Sequence, residues 1–210
     1  MDADFHMDRK DEKNSDEEKS LLEKAKEKNS DVYGWIKVDG TKVSYPIVQH
    51  KKEDSYYLNH DSEKNTTVYG AIFTEKYNSR NFDDPITLIY GHAVRDGSMF
   101  GGLRNFRSKD FFDENRFIYI YFEDKVYVYE IVSAYSVDNE HVFSKYDLTS
   151  KEKVEKYYDD IKNQVLRYGG NYREKKYNGN RILILSTCNS SYDDRRFLVQ
   201  AILVKEEKIK

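Results

Sequence analysis

The chain of 210 residues has little of what marks disulfide-stapled, linker-rich or membrane-spanning proteins. Its single cysteine excludes an internal disulfide, and its two prolines and ten glycines argue against long flexible linkers. No run approaches about 18 consecutive apolar residues, so no segment is typical of a membrane span. A net charge of −3, with acidic and basic residues interspersed, argues against a nucleic-acid partner. The sequence therefore predicts one globular domain with enough chain for a substantial core.

Aromatic residues are abundant, with 19 tyrosines and 11 phenylalanines, and both types favour strands. Apolar runs bounded by turn signals such as Asp39-Gly40 predict about eight short strands. Few crossover helices lie between them, which indicates a mainly antiparallel barrel or sandwich. The predicted strands are 32–38, 43–48, 69–73, 86–90, 117–122, 126–137, 181–187 and 196–204.

Helical signals are fewer. A thin apolar stripe predicts a surface helix over 16–28, and the spacing of apolar residues favours a helix within 98–112. A capping box at 149–152 opens a pattern of helical period, which Gly169-Gly170 closes, so we expect one long helix at 149–168. We expect residues 1–15 to be a tag or disordered lead and 16–210 to form the domain.

The beginning of the chain does not resemble a secretory signal peptide. Met7, a second methionine close to the first, is typical of a cloning junction. We therefore expect that a native targeting segment has been removed, which leaves the location of the protein open at this point.

Cys188 closes the apolar run 182–187, and Arg196 opens the next strand. A thiol at a strand tip beside a guanidinium is a candidate nucleophile beside a candidate anion stabiliser. His92 follows the apolar run 86–90 and can supply the acid or base, because histidine titrates near neutral pH. Arg195 and Arg196 point to opposite faces of a strand, so only one of them can serve the site.

A metal site is a weaker hypothesis. His60 lies between Asn59 and Asp61, but no second cluster of histidine or cysteine supports a metal, and capping of a turn is the simpler interpretation. We expect neither a metal nor another cofactor.

Eight segments occur together in a recognisable order: 31–36, 39–41, 45–49, 56–61, 70–73, Tyr90-Gly91-His92, 96–100 and 185–188. Over about 29–204 they resemble class B sortases, cysteine transpeptidases of Gram-positive cell surfaces. Ile184 departs from the pattern, because that family usually has threonine there, and we expect this exchange to alter strand packing rather than chemistry. The resemblance implies a mainly β fold, a closed eight-stranded barrel with an N-terminal helix and the helix at about 149–168 before the cysteine strand.

The resemblance also implies roles. Cys188 would be the nucleophile, His92 the acid and base, and Arg196 the stabiliser of the oxyanion or of a substrate carbonyl. Ser186, Thr187 and Ser190, beside the cysteine, are predicted to contact substrate. Between the two arginines, Arg196 is favoured because it aligns with the family's arginine-bearing strand.

The expected reaction cleaves a sorting signal after threonine, holds the acyl group on cysteine and passes it to a peptidoglycan amine. The signal would be Asn-Pro-x-Thr-Asn-like or x-Pro-x-Thr-Gly, and the enzyme would sit outside the cell membrane on an N-terminal anchor absent from this chain. Two alternatives stay open: a cysteine hydrolase that releases its peptide to water, and a non-catalytic peptide-binding module.

Overall fold

The computed structural model describes the backbone of residues 9–138, 150–190 and 193–209, and the side chains of 16–138, 150–187 and 195–209. Within these ranges three α-helices and nine strands alternate with two 3₁₀ segments, Tyr56–Leu58 and Gly101–Arg107. The helices are α1 (Arg9–Lys28), α2 (Lys109–Glu114) and α3 (Lys151–Tyr168). The strands are β1 (Val32–Val38), β2 (Ser44–Val48), β3 (Ile72–Thr74), β4 (Ile86–Gly91), β5 (Phe117–Phe122), β6 (Lys125–Asp138), β7 (Gly170–Tyr172), β8 (Ile182–Ser190) and β9 (Asp193–Lys208).

Eight of the strands close into a barrel. Their order is β5-β1-β2-β3-β4-β8-β9-β6, and β6 pairs back onto β5 to complete the ring. The ninth strand, β7, pairs with β6 at Ser133–Tyr135, beyond the part of β6 that β5 covers. This confirms the predicted closed eight-stranded barrel and adds one short strand that the sequence did not indicate.

Most neighbouring strands are antiparallel, but two pairs are parallel. β2 runs parallel to β3 over two residue pairs, and β4 runs parallel to β8 over six. The β4–β8 pair matters for the site because parallel partners end at the same edge of the sheet.

The apolar run of β8 is continuous because both faces of this strand are buried. Leu183 and Leu185 belong to the cluster inside the barrel, whereas Ile182 and Ile184 belong to a second cluster beneath α3. Ile184 is fully buried there, so the residue that departs from the family pattern packs against the helix layer.

Two helices cover the outside of the barrel. α1 buries Leu22 against β1 and β5, with Leu21 and Ala25 packed beside it, as the thin apolar stripe predicts. Glu18 of α1 accepts from Ser44 Oγ at 2.9 Å and lies 3.1 Å from Lys37 Nζ. α3 buries its own stripe against β6 and β9.

The structure corrects the predicted helices at four places. α1 begins at Arg9, ahead of the predicted residue 16, while the rest of the expected lead, 1–8, lies outside the described residues. The cap of α3 is Ser150, whose side chain accepts from Lys153 N, one residue after the predicted Thr149, which lies outside the described residues.

Gly170, which we expected only to close α3, begins β7. The fourth correction concerns 98–112, where no continuous helix forms. The chain forms the 3₁₀ segment Gly101–Arg107 and then the short α2. The two are separated at Ser108, whose backbone is extended (φ −70°, ψ 129°) and whose side chain accepts from Phe111 N as the cap of α2.

Candidate active site

The parallel pair β4–β8 brings the predicted histidine and cysteine positions to one end of the barrel. Tyr90 pairs with Ser186, and Gly91 pairs with Thr187. The next residue is His92 after β4 and Cys188 in β8. The backbones of these two residues therefore lie next to each other at the same edge of the sheet. Neighbouring strands are about 5 Å apart, a separation that side chains can bridge.

The third predicted residue joins them from the other side. β9 is antiparallel to β8, and Arg196 pairs directly with Cys188. Three adjacent strands, β4, β8 and β9, therefore present the histidine, cysteine and arginine positions in a row. The side chains of Cys188 and Ser190 lie outside the described part of the chain, so this arrangement is one of backbone register.

The alternation along β9 separates the two arginines as expected. Phe197 and Val199 point into the barrel, whereas Leu198 packs under α3 on the outer face, in phase with Arg196. Arg196 is half-buried, while Arg195 is exposed. Arg196 is thus the arginine whose side chain shares the outer face with the α3 layer.

Tyr90 lies close to this guanidinium. Burial raises the pKa of Tyr90 well above its ordinary value, and the negative charge of Glu75 raises it further, while the positive charge of Arg196 opposes both. The Tyr90 ring also stacks on Phe73 with a centroid distance of 5.4 Å. Tyr90 is therefore protonated at neutral pH, and it contacts β3 through the ring of Phe73.

The imidazole of His92 is partly exposed, and its Nε2 lies 2.7 Å from the carbonyl oxygen of Leu58. Leu58 is the last residue of the 3₁₀ turn Tyr56–Leu58, which two hydrogen bonds of Tyr57 hold in place. Tyr57 OH donates to Asp31 Oδ2 at 2.9 Å, and Ala71 N donates to Tyr57 O at 2.9 Å. The imidazole of His92 therefore contacts a carbonyl group of a turn that is itself fixed by hydrogen bonds.

Two glycines make room for this arrangement. A Cβ on Gly91, just before the histidine, would lie 2.5 Å from Ile72 Cδ1 and 2.8 Å from Phe100 Cδ2. Gly70 has φ +59°, and a Cβ there would lie 2.6 Å from Tyr57 O and 2.9 Å from His92 Cδ2. A side chain at either position would displace the histidine or its support.

The predicted substrate-contacting residues differ in their surroundings. Ser186 and Thr187 are both buried, at 4% and 0% exposure. At these positions they support the strand end that carries Cys188. The predicted contact from Ser190 involves a side chain outside the described ones.

The sequence did not single out four large apolar side chains that the structure leaves exposed: Leu58, Val68, Tyr69 and Tyr77. Leu58 carries the carbonyl that contacts His92, and Val68 and Tyr69 precede Gly70, where a Cβ would lie 2.9 Å from His92 Cδ2. Their spacing in sequence is irregular, so periodicity could not find them.

No group of three or more potential ligands among the described residues could hold a metal ion. His60 instead serves its own turn, because its Nδ1 lies 2.8 Å from Tyr56 O and its ring stacks on that of Tyr56. In the part of the chain that is described, no helix has the length and apolar character needed to cross a membrane.

Comparison with known proteins shows the family and the fold of the chain. The model of the sortase domain matches residues 36–204. Sortase B of Listeria monocytogenes serovar 1/2a is 33% identical over 178 residues, which are 84% of this chain and 71% of that protein. The X-ray structure of Clostridium perfringens sortase B has a TM-score of 0.76 and 32% identity, covering 87% of this chain and 99% of that one. A Staphylococcus aureus sortase B–substrate complex has a TM-score of 0.77 and 26% identity, covering 92% of this chain and 94% of that one.

The chain therefore belongs to the sortase family, whose members are cysteine transpeptidases. Within that family it is a class B sortase, the class of the relatives and structures it matches. Sortases as a family are associated with the cell wall.

Proposed function

We propose that this transpeptidase cleaves the sorting signal of a surface protein after threonine and transfers the acyl group, through a Cys188 thioester, to a peptidoglycan amine. The observation that carries the proposal is the shared register of β4, β8 and β9, which aligns positions 92, 188 and 196. The similarity to a S. aureus sortase B that was solved as a complex with its substrate supports a peptide as the partner.

Each residue has a chemical reason for its role. A free thiol has a pKa of about 8.5, so cationic neighbours increase the fraction that is nucleophilic thiolate. Arg196 stays charged and donates several hydrogen bonds, which suits the oxyanion of a tetrahedral intermediate. His92 protonates the leaving amine and later deprotonates the incoming one.

We propose that the peptide lies beside His92 and contacts the exposed side chains of Leu58, Val68, Tyr69 and Tyr77. Asn-Pro-x-Thr-Asn-like and x-Pro-x-Thr-Gly signals are the two classes to test. Ser186 and Thr187, being buried, suit the support of the cysteine strand better than a direct contact, and Ser190 remains a predicted contact.

The family's association with the cell wall supports a location at the outer face of the membrane, with an N-terminal anchor outside these residues. Detection of the full-length protein by protease shaving of intact cells tests this. A full-length product found wholly in the cytosol would overturn it.

The function test uses quenched fluorescent peptides of both signal classes. The parent protein should cleave after threonine, and Cys188→Ala should abolish cleavage. Arg196→Ala should lower kcat by about 10² to 10³, the usual cost of removing an oxyanion donor. Arg195→Ala is the matched control, because the neighbouring guanidinium is exposed and lies in the opposite phase of β9; it should stay close to the parent.

The same assay separates the alternatives. A transpeptidase yields an amine adduct when an amine nucleophile such as triglycine is added, whereas a hydrolase yields only the free acid at saturating amine. Peptide binding without turnover, unchanged in Cys188→Ala, would instead identify a non-catalytic module.

A further inference from the structure

The contact between His92 and Leu58 specifies where one hydrogen of the imidazole resides. A backbone carbonyl oxygen has no hydrogen to give and only accepts. The distance of 2.7 Å between His92 Nε2 and Leu58 O is that of a hydrogen bond, so Nε2 must carry the hydrogen. In a histidine, the bond made by one ring nitrogen determines which nitrogen is free to exchange a proton.

The acceptor is held in a built position. Leu58 O projects from a turn that Tyr57 ties to Asp31, a carboxylate that is itself only 3% exposed and lies 2.9 Å from Lys64 Nζ. Gly70 closes the other side, since a Cβ there would meet Tyr57 O at 2.6 Å, Leu58 O at 2.8 Å and His92 Cδ2 at 2.9 Å. The ring can approach the carbonyl only because residue 70 has no side chain.

We propose that the Leu58 carbonyl, kept in place by Gly70 and Tyr57, holds His92 with its hydrogen on Nε2, so that Nδ1 alone moves protons in the acyl transfer. The first half of this inference concerns the free protein, and the second half rests on the proposed function. Leu58, Gly70 and Tyr57 act here as positioning residues through the histidine.

The proton balance follows directly. The Cys188 thiolate attacks the threonine carbonyl, and when the C–N bond breaks, its electron pair goes to the leaving nitrogen, which takes the proton from Nδ1. His92 is then neutral, with Nε2–H still bonded to Leu58. Nδ1 next accepts a proton from the incoming amine as it attacks the thioester, the C–S bond breaks, and the thiolate returns.

Two other histidines serve as internal references for the tautomer of His92. His60 makes the opposite contact, with Nδ1 2.8 Å from Tyr56 O, so its hydrogen lies on Nδ1. His50 accepts from Glu53 N on Nδ1 at 3.0 Å, which leaves its hydrogen on Nε2. One spectrum of the protein should therefore contain both tautomers.

The test is a long-range ¹H–¹⁵N correlation spectrum of the ¹⁵N-labelled chain at mildly alkaline pH, without any substrate. His92→Gln identifies the His92 signals by their loss. We expect a protonated Nε2 and an unprotonated Nδ1 at His92, with the reverse at His60. A protonated Nδ1 at His92, or an equal mixture of both forms, would overturn the inference.

Gly70→Ala tests the positioning. We expect it to replace the single tautomer with a mixture and to lower kcat/KM for the cleaved peptide about 100-fold, the cost of a misplaced catalytic group. Gly97→Ala is the matched control: φ at Gly97 is +83°, but nothing lies within 4 Å of the added Cβ. The control carries a similar backbone strain and should keep the parent's tautomer and rate.

The outcomes are separable. A folded Gly70→Ala that keeps both the tautomer and the rate would refute the role of Gly70. If that variant does not fold, the spectrum of the parent still decides the tautomer. If no peptide is cleaved, the proposed function fails while the assignment of the hydrogen to Nε2 stands or falls on the spectrum alone.

Discussion

Glu130 is a buried carboxylate whose charge depends on two neighbours. Its side chain is 4% exposed and pairs with Arg116 and with Lys175 Nζ, the latter at 2.7 Å. Burial by itself raises the pKa of Glu130, but the hydrogen bonds from Lys175 and Arg116 outweigh burial and bring the pKa below the ordinary 4.5. A carboxyl whose pKa is lower in the folded state stabilises the fold above its unfolded pKa and loses that contribution as pH falls through the folded value.

Glu130→Gln should therefore lower the free energy of unfolding by about 2 kcal/mol at pH 7, in the range of hydrogen bonds to charged groups. The difference from the parent should begin to shrink as the pH falls below the ordinary 4.5, where Glu130 takes up a proton in the unfolded chain. It should be lost once the pH is below the lowered pKa of the folded state, where the folded parent also carries a neutral side chain. Urea denaturation at several pH values measures it. Glu174→Gln is the control: that carboxylate is 76% exposed in its pair with Lys162, so its loss should change little at any pH. A gap that stays constant at all pH values would contradict the argument.

At the residue scale, the sequence was informative wherever a local rule applied. The choice of Arg196 over Arg195 follows from family alignment and strand alternation, and the structure puts Arg196 in phase with the outer face. Gly70 could not be found in this way. Its importance comes from contacts with Tyr57, Leu58 and His92, which are separated along the chain and meet only in the fold.

The α3 helix is the element that closes the outer cluster. Its buried stripe consists of Val154, Tyr157, Tyr158, Ile161 and Val165. We expect Ile161→Ala to lower the free energy of unfolding by about 3 kcal/mol, because a cavity is left against β6 and β9. Leu166→Ala, at a position that is 76% exposed on the same helix, should change it by less than about 0.5 kcal/mol.

Thermal or urea denaturation compares a buried with an exposed position of the same helix, and neither substitution lowers helix propensity because alanine is the best helix former. Similar losses in both would mean that burial of Ile161 stabilises the fold no more than the exposed side chain of Leu166 does. Such a result would contradict the burial seen for Ile161.

At the element scale, periodicity predicted the long helix and most strands, since these have a strong local pattern. The misses occurred where tertiary contacts decided. The segment 98–112 has helical spacing, yet the backbone at Ser108 is extended and separates the 3₁₀ segment from α2. Just before it, the carbonyl oxygens of Phe106 and Arg107 accept from Asn171 Nδ2. β7 is too short for a pattern of its own and forms because β6 extends beyond β5.

At the scale of the whole molecule, the sheet of the described residues is a closed ring with one appended strand. Each ring strand has a partner on both sides, whereas within the described ranges β7 pairs with three residues of β6 alone. We expect amides of Leu185 and Val199 to exchange hydrogen only through global unfolding, and amides of β7 to exchange through local opening at lower free energy. Native-state hydrogen exchange at increasing denaturant measures both. Equal protection of β7 and the ring would contradict the expectation.

At this scale, local patterns indicated a barrel or sandwich, and only the family resemblance selected the closed barrel. The parallel pairs β2–β3 and β4–β8 could not be derived from pattern, because parallel and antiparallel strands share the same apolar signals. Yet β4–β8 is the pair that aligns His92 with Cys188.

The parallel pair β4–β8 also makes the geometry of positions 92 and 188 independent of the loops between them. The positions of the histidine and the cysteine depend on six paired residues of two adjacent strands, not on the length of chain that joins them. The chain from 93 to 181 begins at the end of β4 and ends at the start of β8. Insertions in its surface loops therefore need not change the distance between positions 92 and 188. Loops around the site can therefore be exchanged, by evolution or by design, while the pairing of β4 with β8 keeps positions 92 and 188 in place.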